Sequence, residues 1–233
     1  EAPQDEAQML GKQLAGYTFS RVIGHGCMGT VYEASQEGLE REVAIKVLPE
    51  AMGRDPVFLA NFKRDAQAAS KLNHPGIVRI FDIDEDQGYQ FFSMEYVDGE
   101  NLATRVGREG RLAASDALPI VGQVAAALEH ACEHMLIHRD IKPGNILLTQ
   151  RGDVKLADLG LSKSLEETAV GGARGIHAGV LYMAPELAKT PQLADCRSDI
   201  YALGIVLFEA LTGKPPFQGP TVADLMNQHA SAA

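Results

Sequence analysis

Two polar side chains five residues apart, Asp140 and Asn145, flank Lys142 in the run Ile137-His-Arg-Asp-Ile-Lys-Pro-Gly-Asn-Ile-Leu147. An Asp can accept the proton of a substrate hydroxyl, a Lys can steady a phosphoryl group in transit, and an Asn can ligate Mg2+. Downstream, Asp158 in Ala157-Asp158-Leu159-Gly160 offers a second oxygen ligand to a hard cation, although a plain Asp-Leu-Gly turn reads the same way. Upstream, Ile23-Gly-His-Gly-Cys-Met-Gly-Thr-Val31 holds a GxGxxG pattern. Between two strands, such a loop lays backbone N–H groups over phosphates, because Gly24, Gly26 and Gly29 lack side chains that would block the approach. Between a strand and a helix it would indicate a dinucleotide fold, and without a ligand it is only a glycine-rich hairpin. Lys46 ends Val43-Ala44-Ile45-Lys46 and is the single cation of an apolar strand. Either its stem snorkels from a strand edge, or its ammonium reaches α- and β-phosphates with an acidic partner on a neighbouring helix.

Positioning these groups requires strands first and helices later. Tyr17 to Ile23, Thr30 to Ala34 and Glu42 to Leu48 are β-rich runs separated by the glycine loop and by a Glu37-Gly38 turn, and read as three antiparallel strands. Asp55-Pro56 opens a helix to about Leu72, with Phe58, Phe62, Ala66 and Ala69 at helical spacing. Ile77 to Ile83 and Tyr89 to Tyr96 are further strands. Ser115 to Met135 is a long helix with Ser115 as N-cap and Leu118, Val121, Ala125, Leu128 and Cys132 on its buried face. Short strands at Ile146 to Leu148 and Val154 to Leu156 bracket the second half of the chemistry, and Asp199 to Leu211 is apolar nearly all round, as a buried helix should be. The chain divides near Asp98-Gly99 into a β-rich and a helix-rich part.

With 233 residues, 45% of them hydrophobic, and a formal charge of −10, the chain is an ordinary globular one whose charge disfavours a nucleic-acid partner. Cys27, Cys132 and Cys196 are odd in number and form no CxxC pair, so neither a disulfide framework nor a zinc site is expected, and a reducing compartment fits best. No apolar run reaches the roughly 20 residues of a membrane span. The polar, acidic segment Glu1 to Gly16 does not resemble a secretory signal, and the chain reads as intracellular.

The GxGxxGxV loop, the VAIK lysine, HRDIKPGN, the DxG element, Ala184-Pro185-Glu186 and Asp195-Cys-Arg-Ser-Asp199-Ile-Tyr-Ala-Leu-Gly204 occur in one order over about Tyr17 to Met226. In this the chain resembles the protein kinase family. Lys142, two residues after Asp140, resembles the Ser/Thr branch, and HPGIVRIFDI, MEYVDGENL and LTGKPPFQG resemble the bacterial eukaryotic-like (Hanks-type) Ser/Thr kinases.

The resemblance implies an α+β, two-lobed fold: an N-terminal extension over 1–16, an ATP-binding N-lobe over 17–98, and a mostly helical catalytic C-lobe over 99–233. It implies ATP and Mg2+ as cofactors and a protein substrate with Ser or Thr. No nucleic acid and no membrane span are implied within the chain, and a homodimer is compatible with it. The implied location is the cytoplasm, with any membrane anchor in a longer protein. Asp140 would act as base, Lys142 would contact the γ-phosphate, Asn145 and Asp158 would hold Mg2+, and Lys46 would steady the α/β-phosphates. Ile23, Val31 and Ala44 above and Leu147 below would enclose adenine, with Met94 as gatekeeper and the Glu95 and Val97 backbones on its edge. Asp199 would brace the backbone of the catalytic loop.

The chain departs from the family at several positions. Asp65 stands where a Glu normally pairs with Lys46, one methylene shorter. Leu159 replaces the usual Phe, and Ala178-Gly179 replaces the expected Gly-Thr pair, whose hydroxyl would bond near Asp140 and Lys142. No Ser, Thr or Tyr occurs from Ala169 to Leu181, and Thr168 follows Glu166 and Glu167, so phosphorylation at the usual centre of this loop is not expected. These departures leave open a nucleotide-binding pseudokinase or scaffold. The likeness runs out just past Pro216-Phe217, in a helix expected at Val222 to His229. A truncated C-lobe of reduced stability is therefore expected, with Glu186 seeking a new partner and part of the helix Ile200 to Leu211 uncovered. Among the weaker signals, His130 and His134 with Cys132 between them imitate a metal face but read more simply as a packed helix end. His138 reads as a core residue rather than a base, Cys27 as a passive or oxidisable side chain beside the nucleotide, and Asp82 to Asp86 as a solvated turn.

Overall fold

The computed structural model describes residues 9–26, 29–159, 179–187 and 194–231. Cys27 and the positions 160–178, with Ser162, Ser164 and Thr168, lie outside them. The chain separates into two compact units, Glu1–Lys71 with Arg79–Val97, and Leu72–Val78 with Asp98–Ala233.

The first unit is a six-stranded antiparallel sheet in the order β1-β2-β3-β4-β6-β5, formed by β1 (Gln13–Leu14), β2 (Tyr17–Gly26), β3 (Gly29–Gln36), β4 (Arg41–Val47), β5 (Ile80–Asp86) and β6 (Tyr89–Glu95). Alternation buries Tyr17 and Phe19 of β2, Tyr32 and Ala34 of β3, and Val43, Ile45 and Val47 of β4 in one cluster, which Met9 and Leu14 complete. Of the residues before Tyr17, Met9 and Leu14 thus belong to the core. A short helix α1 (Glu50–Gly53) precedes α2 (Pro56–Ala69), which starts as the sequence predicts: Asp55 is its N-cap, its carboxylate accepting from Val57 and Phe58 N–H, and Pro56 follows at N1. Phe58, Phe62, Ala66 and Ala69 form the buried face, and the Phe62 ring meets Phe92 of β6 at 5.6 Å between centroids.

Gly29 is fixed by the sheet itself. Its φ is +113°, and a Cβ there would lie 1.9 Å from the Val47 carbonyl oxygen. Gly29→Ala is expected to destabilise the chain by at least about 2 kcal/mol, from backbone strain together with displacement of β4. A lower urea midpoint for Gly29→Ala checks this, with Gly26→Ala as comparison, since that Cβ would meet nothing closer than 4.0 Å.

The second unit holds a three-stranded antiparallel sheet of β7 (Gly99–Asn101), β8 (Ile146–Thr149) and β9 (Val154–Leu156), to which 72–78 is joined through Val78 N–H to Leu156 O and Leu156 N–H to Gly76 O. Its helices are α3 (Leu102–Glu109), α4 (Ala114–Glu133), α5 (Cys196–Thr212) and α6 (Val222–Ser231). Helix α4 departs from expectation. It starts one residue before Ser115, with Ala113 as an N-cap that makes no side-chain bond. Its buried face is Ala117, Ile120, Val124, Ala127, Leu128 and Ala131, whereas Leu118 is 55% exposed. The helix is Ala-rich, so periodicity alone did not single out the face that meets α5.

Contrary to the expectation of unpaired cysteines, Cys132 and Cys196 are disulfide-bonded across 64 residues. Packing of α4 on α5 brings the two together, and no local spacing announces such a pair. Helix α5 is capped by Asp195 in a capping box with Ser198. Its buried face carries Ala202, Leu203, Ile205, Val206 and Ala210, while Ile200 and Phe208 are 54% and 46% exposed. Glu186 finds its partner here, accepting from Ser198 Oγ at 2.7 Å. Among the described residues no helix is long and apolar enough to cross a membrane.

Candidate active site

In the first unit, sheet register aligns the residues singled out for a nucleotide. Gly24 of β2 pairs with Val31 of β3, and Val31 pairs with Lys46 of β4, so loop glycine, apolar side chain and lysine lie in one row. One step along, Ala44 sits opposite Met94 of β6, both buried. Ile23 is 37% exposed beside them in sequence. The Glu95 N–H donates to Arg79 O at 2.8 Å, and Val97 is half-buried just after it. Lys46 is buried in its apolar strand, 3% exposed, and is not the snorkelling edge residue of the alternative reading. Asp65 is buried on α2, and its Oδ1 accepts from the Arg64 guanidinium at 3.1 Å.

In the second unit the chemistry is concentrated in the loop between α4 and β8. Asp140 Oδ2 accepts from Lys142 Nζ at 2.6 Å and from Asn145 Nδ2 at 3.0 Å, and the same Nδ2 also reaches the Asp140 carbonyl at 2.8 Å. Asn145 sits in a short tight helical turn, Pro143–Asn145, that leads directly into β8. With its amide nitrogen committed twice, Asn145 is left with Oδ1 as its acceptor. Asp140 Oδ1 takes no hydrogen bond among the described residues, and a Cβ built on Gly179 would lie 3.7 Å from it. The position that lacks the expected Thr is therefore beside the carboxylate that such a hydroxyl would address.

The loop's shape is imposed from beneath. Asp199, 4% exposed on α5, accepts from His138 N–H at 2.7 Å through Oδ2 and from Arg139 N–H at 2.8 Å through Oδ1. Burial pushes its carboxyl above the usual Asp range, against the pull of those two donors and of the nearby His138 and Arg139 side chains. His138 is fully buried: Nδ1 accepts from Asp140 N–H at 3.2 Å, so Nε2 carries the proton and donates to Ala157 O at 2.8 Å. Both nitrogens are spent on backbone, which makes His138 an organiser of the loop and not a base. Arg139 and Asp158 adopt φ of +69° and +61°, sparsely populated for residues with side chains and found where surrounding structure over-determines the backbone. Asp158 follows β9 and is half-buried, and the Ala157 N–H donates to Asn145 O at 2.9 Å, which ties the segment of one expected oxygen ligand to the turn of the other.

Strand alternation places Ile146 and Leu148 in the core and leaves Leu147 on the opposite, half-exposed face of β8. Tyr182 donates from its hydroxyl to Glu209 at 2.6 Å, and burial beside that carboxylate pushes the phenol well above its ordinary range, so it stays protonated. The His130–His134 face is a ring stack, His74 to His130 at 5.1 Å and His130 to His134 at 4.4 Å, rather than a ligand set. Among the described residues no group of three or more His, Cys, Asp or Glu could hold a metal ion by itself. A cation at Asn145 and Asp158 would thus need further oxygens from a bound phosphate compound, the manner in which Mg2+ is usually held.

Comparison with known proteins agrees with this geometry. A protein kinase domain family matches residues 17–232. Serine/threonine-protein kinase PrkC of Bacillus subtilis is 42% identical over 225 residues, covering 96% of this chain and 35% of that protein. Serine/threonine-protein kinase PknB of Mycolicibacterium smegmatis is 38% identical over 219 residues, with 91% and 35% coverage. The chain therefore spans about a third of the length of these relatives. The crystal structure of the Mycobacterium tuberculosis PknI kinase domain superposes with a TM-score of 0.73 at 30% identity, covering 96% of this chain and 91% of that one.

Proposed function

The chain belongs to the protein kinase family, and from that premise we propose that it is an ATP- and Mg2+-dependent protein kinase domain that transfers the γ-phosphoryl group of ATP to a Ser or Thr hydroxyl of a protein substrate. The observation that carries this reading is the asymmetric use of Asp140. One carboxylate oxygen is held by Lys142 and Asn145, and the other takes no hydrogen bond among the described residues, which suits it to a hydroxyl proton.

The steps follow from the side chains. Asp140 Oδ1 orients the acceptor hydroxyl and takes its proton as the bond to phosphorus forms. Lys142, already 2.6 Å from Asp140, stays beside the hydroxyl's target and balances charge on the moving phosphoryl oxygens. Asn145 Oδ1 and the Asp158 carboxylate would hold the divalent ion, which would neutralise phosphate charge. In the first unit, Lys46 supplies a desolvated ammonium for the α/β-phosphates, and Gly24 and Gly26 put no side chain in the way of a phosphate approaching the β2 backbone. Val31, Ala44 and Met94 of the same unit are apolar side chains suited to adenine.

Radiolabelled phosphate transfer from ATP to the chain itself and to a generic basic protein tests the activity; absence of transfer with Mg2+ and with Mn2+ would remove it. Lys46→Met keeps the volume of a buried strand residue while removing its charge, so the fold is expected to hold. Its kcat/KM for ATP should fall tenfold to a hundredfold, the worth of a hydrogen bond to a charged group at about 1.5–3 kcal/mol. Unchanged turnover in this variant would mean that Lys46 does not meet the phosphates.

A further inference from the structure

The Cys132–Cys196 bond closes a small ring around the contact that shapes the catalytic loop. Cys132 lies in the last turn of α4, and six residues later His138 gives its N–H to Asp199 at 2.7 Å. Cys196 is the first residue of α5, and Asp199 stands three residues on, one helical turn away. A path from sulfur to sulfur therefore runs from Cys132 through the α4 terminus to His138, across the hydrogen bond to Asp199, and back along one turn of α5 to Cys196. Only the crossing at Asp199 is noncovalent.

The segment inside this ring is itself constrained. Met135 N–H donates to Cys132 O at 2.9 Å and Leu136 N–H to Ala131 O at 2.9 Å, with Met135 at φ +61°, so the link from Cys132 to His138 is a closed-off helix end with little slack. With the sulfurs joined, the start of α5 cannot slide along the end of α4, and Asp199 is held opposite the His138 and Arg139 N–H groups. With the sulfurs separate, that spacing depends on packing and on a buried carboxylate whose burial already disfavours its charged form. Both cysteines are partly exposed, so a small thiol or disulfide reagent can reach them.

We propose that Cys132 and Cys196 form a thiol–disulfide switch that sets the order of the catalytic loop through Asp199. The proposal rests on the phosphotransfer reading of that loop: an ATP-using domain works among intracellular thiols, where disulfides tend to be transient and regulatory. The exchange balances with a low-molecular-weight disulfide as oxidant. One cysteine thiolate attacks the oxidant and releases one thiol, and the second thiolate displaces the other. Two protein thiols and one small disulfide become one protein disulfide and two small thiols. Excess reduced thiol runs the sequence backwards.

Amide hydrogen exchange on the same protein, oxidised with glutathione disulfide or reduced with dithiothreitol, reads the switch without requiring activity. The peptide holding His138 and Arg139 is expected to exchange roughly tenfold faster in the reduced form, while the β4 amide of Ile45 keeps its protection and reports that the protein remains folded. The double variant Cys132→Ser/Cys196→Ser should exchange like the reduced form and ignore both reagents; if it does not fold, graded reduction of the unaltered protein supplies the open form. Equal exchange at His138 and Arg139 in the two states overturns the proposal, as does full alkylation of both cysteines after treatment with glutathione disulfide. Phosphate transfer should fall severalfold on reduction and recover on reoxidation. Transfer that is present and equal in both forms defeats the switch and leaves the kinase reading intact. An exchange difference with no transfer in either form upholds the coupling and removes the kinase reading.

Discussion

Asp140→Asn is expected to lower the rate of phosphate transfer by about 10²–10⁴-fold, the worth of a general base, while leaving the fold and its melting temperature almost unchanged. The hydrogen bonds around Asp140 dictate this separation. Oδ2 faces two donors, the Lys142 ammonium and the Asn145 amide nitrogen, at 2.6 and 3.0 Å. An Asn side chain can satisfy both only by turning its carbonyl oxygen toward them, which sends its NH2 group to the position of Oδ1. The network survives, and the atom that should receive a hydroxyl proton becomes a donor. Steady-state kinetics with melting curves on the same samples check both halves. Equal rates for the two proteins would exclude Asp140 as base. A large drop in melting temperature would make its role structural.

How much of this was legible in the sequence follows the distance along the chain over which each feature is built. The catalytic loop is local: Asp140, Lys142 and Asn145 lie within six residues, and their mutual bonds need only the tight turn that Pro143 starts. Helix α2 was equally readable, because Asp55 and Pro56 are a start signal in themselves. The clustering of Met9 and Leu14 with Phe19 and Tyr32 was not, since the segment before Tyr17 is polar on average and Met9 and Leu14 set up no period. Helix α3 begins at an Asn101 side chain that accepts from Thr104 N–H at 2.8 Å, a capping signal present in the sequence but passed over beside the division placed near Asp98-Gly99.

Features made by two distant elements were the least visible. The Cys132–Cys196 pair and the His74–His130–His134 stack each join the end of α4 to a segment more than fifty residues away, and neither cysteine nor histidine spacing predicts which helix ends will meet. Gly29 is a milder case. Its place in GxGxxG suggested open access for phosphate, and the sheet adds a second demand, because the Val47 carbonyl occupies the space a side chain would need. One residue type thus answers to backbone packing and to ligand approach together, and a pattern in sequence cannot separate the two.

Asp199 binds backbone N–H groups rather than a reacting group, and yet it positions the residues that carry the chemistry. Asp199→Ala removes the acceptors of two backbone N–H groups, His138 at 2.7 Å and Arg139 at 2.8 Å. Each donor left unsatisfied in a buried place costs about 1–3 kcal/mol, so the loss of stability should be about 2–6 kcal/mol. Asp199→Asn keeps the shape, retains one acceptor and sets an NH2 group against the other donor. It also removes a charge that burial opposes, so its stability cost should be clearly smaller than that of Asp199→Ala. The catalytic loop is nevertheless expected to shift in both variants, since each leaves at least one of the two N–H groups without its acceptor, Arg139 sits at φ +69°, and His138 orients Asp140 through the 3.2 Å bond to its N–H. A shift of about 1 Å in a positioned group costs on the order of 10²-fold in rate, and that loss should fall on kcat while KM for ATP stays near its original value. Asp199→Asn with unchanged kcat would show that the loop keeps its geometry without the carboxylate. A loss that appears only in KM for ATP would place the function of Asp199 in nucleotide binding instead of in the alignment of Asp140.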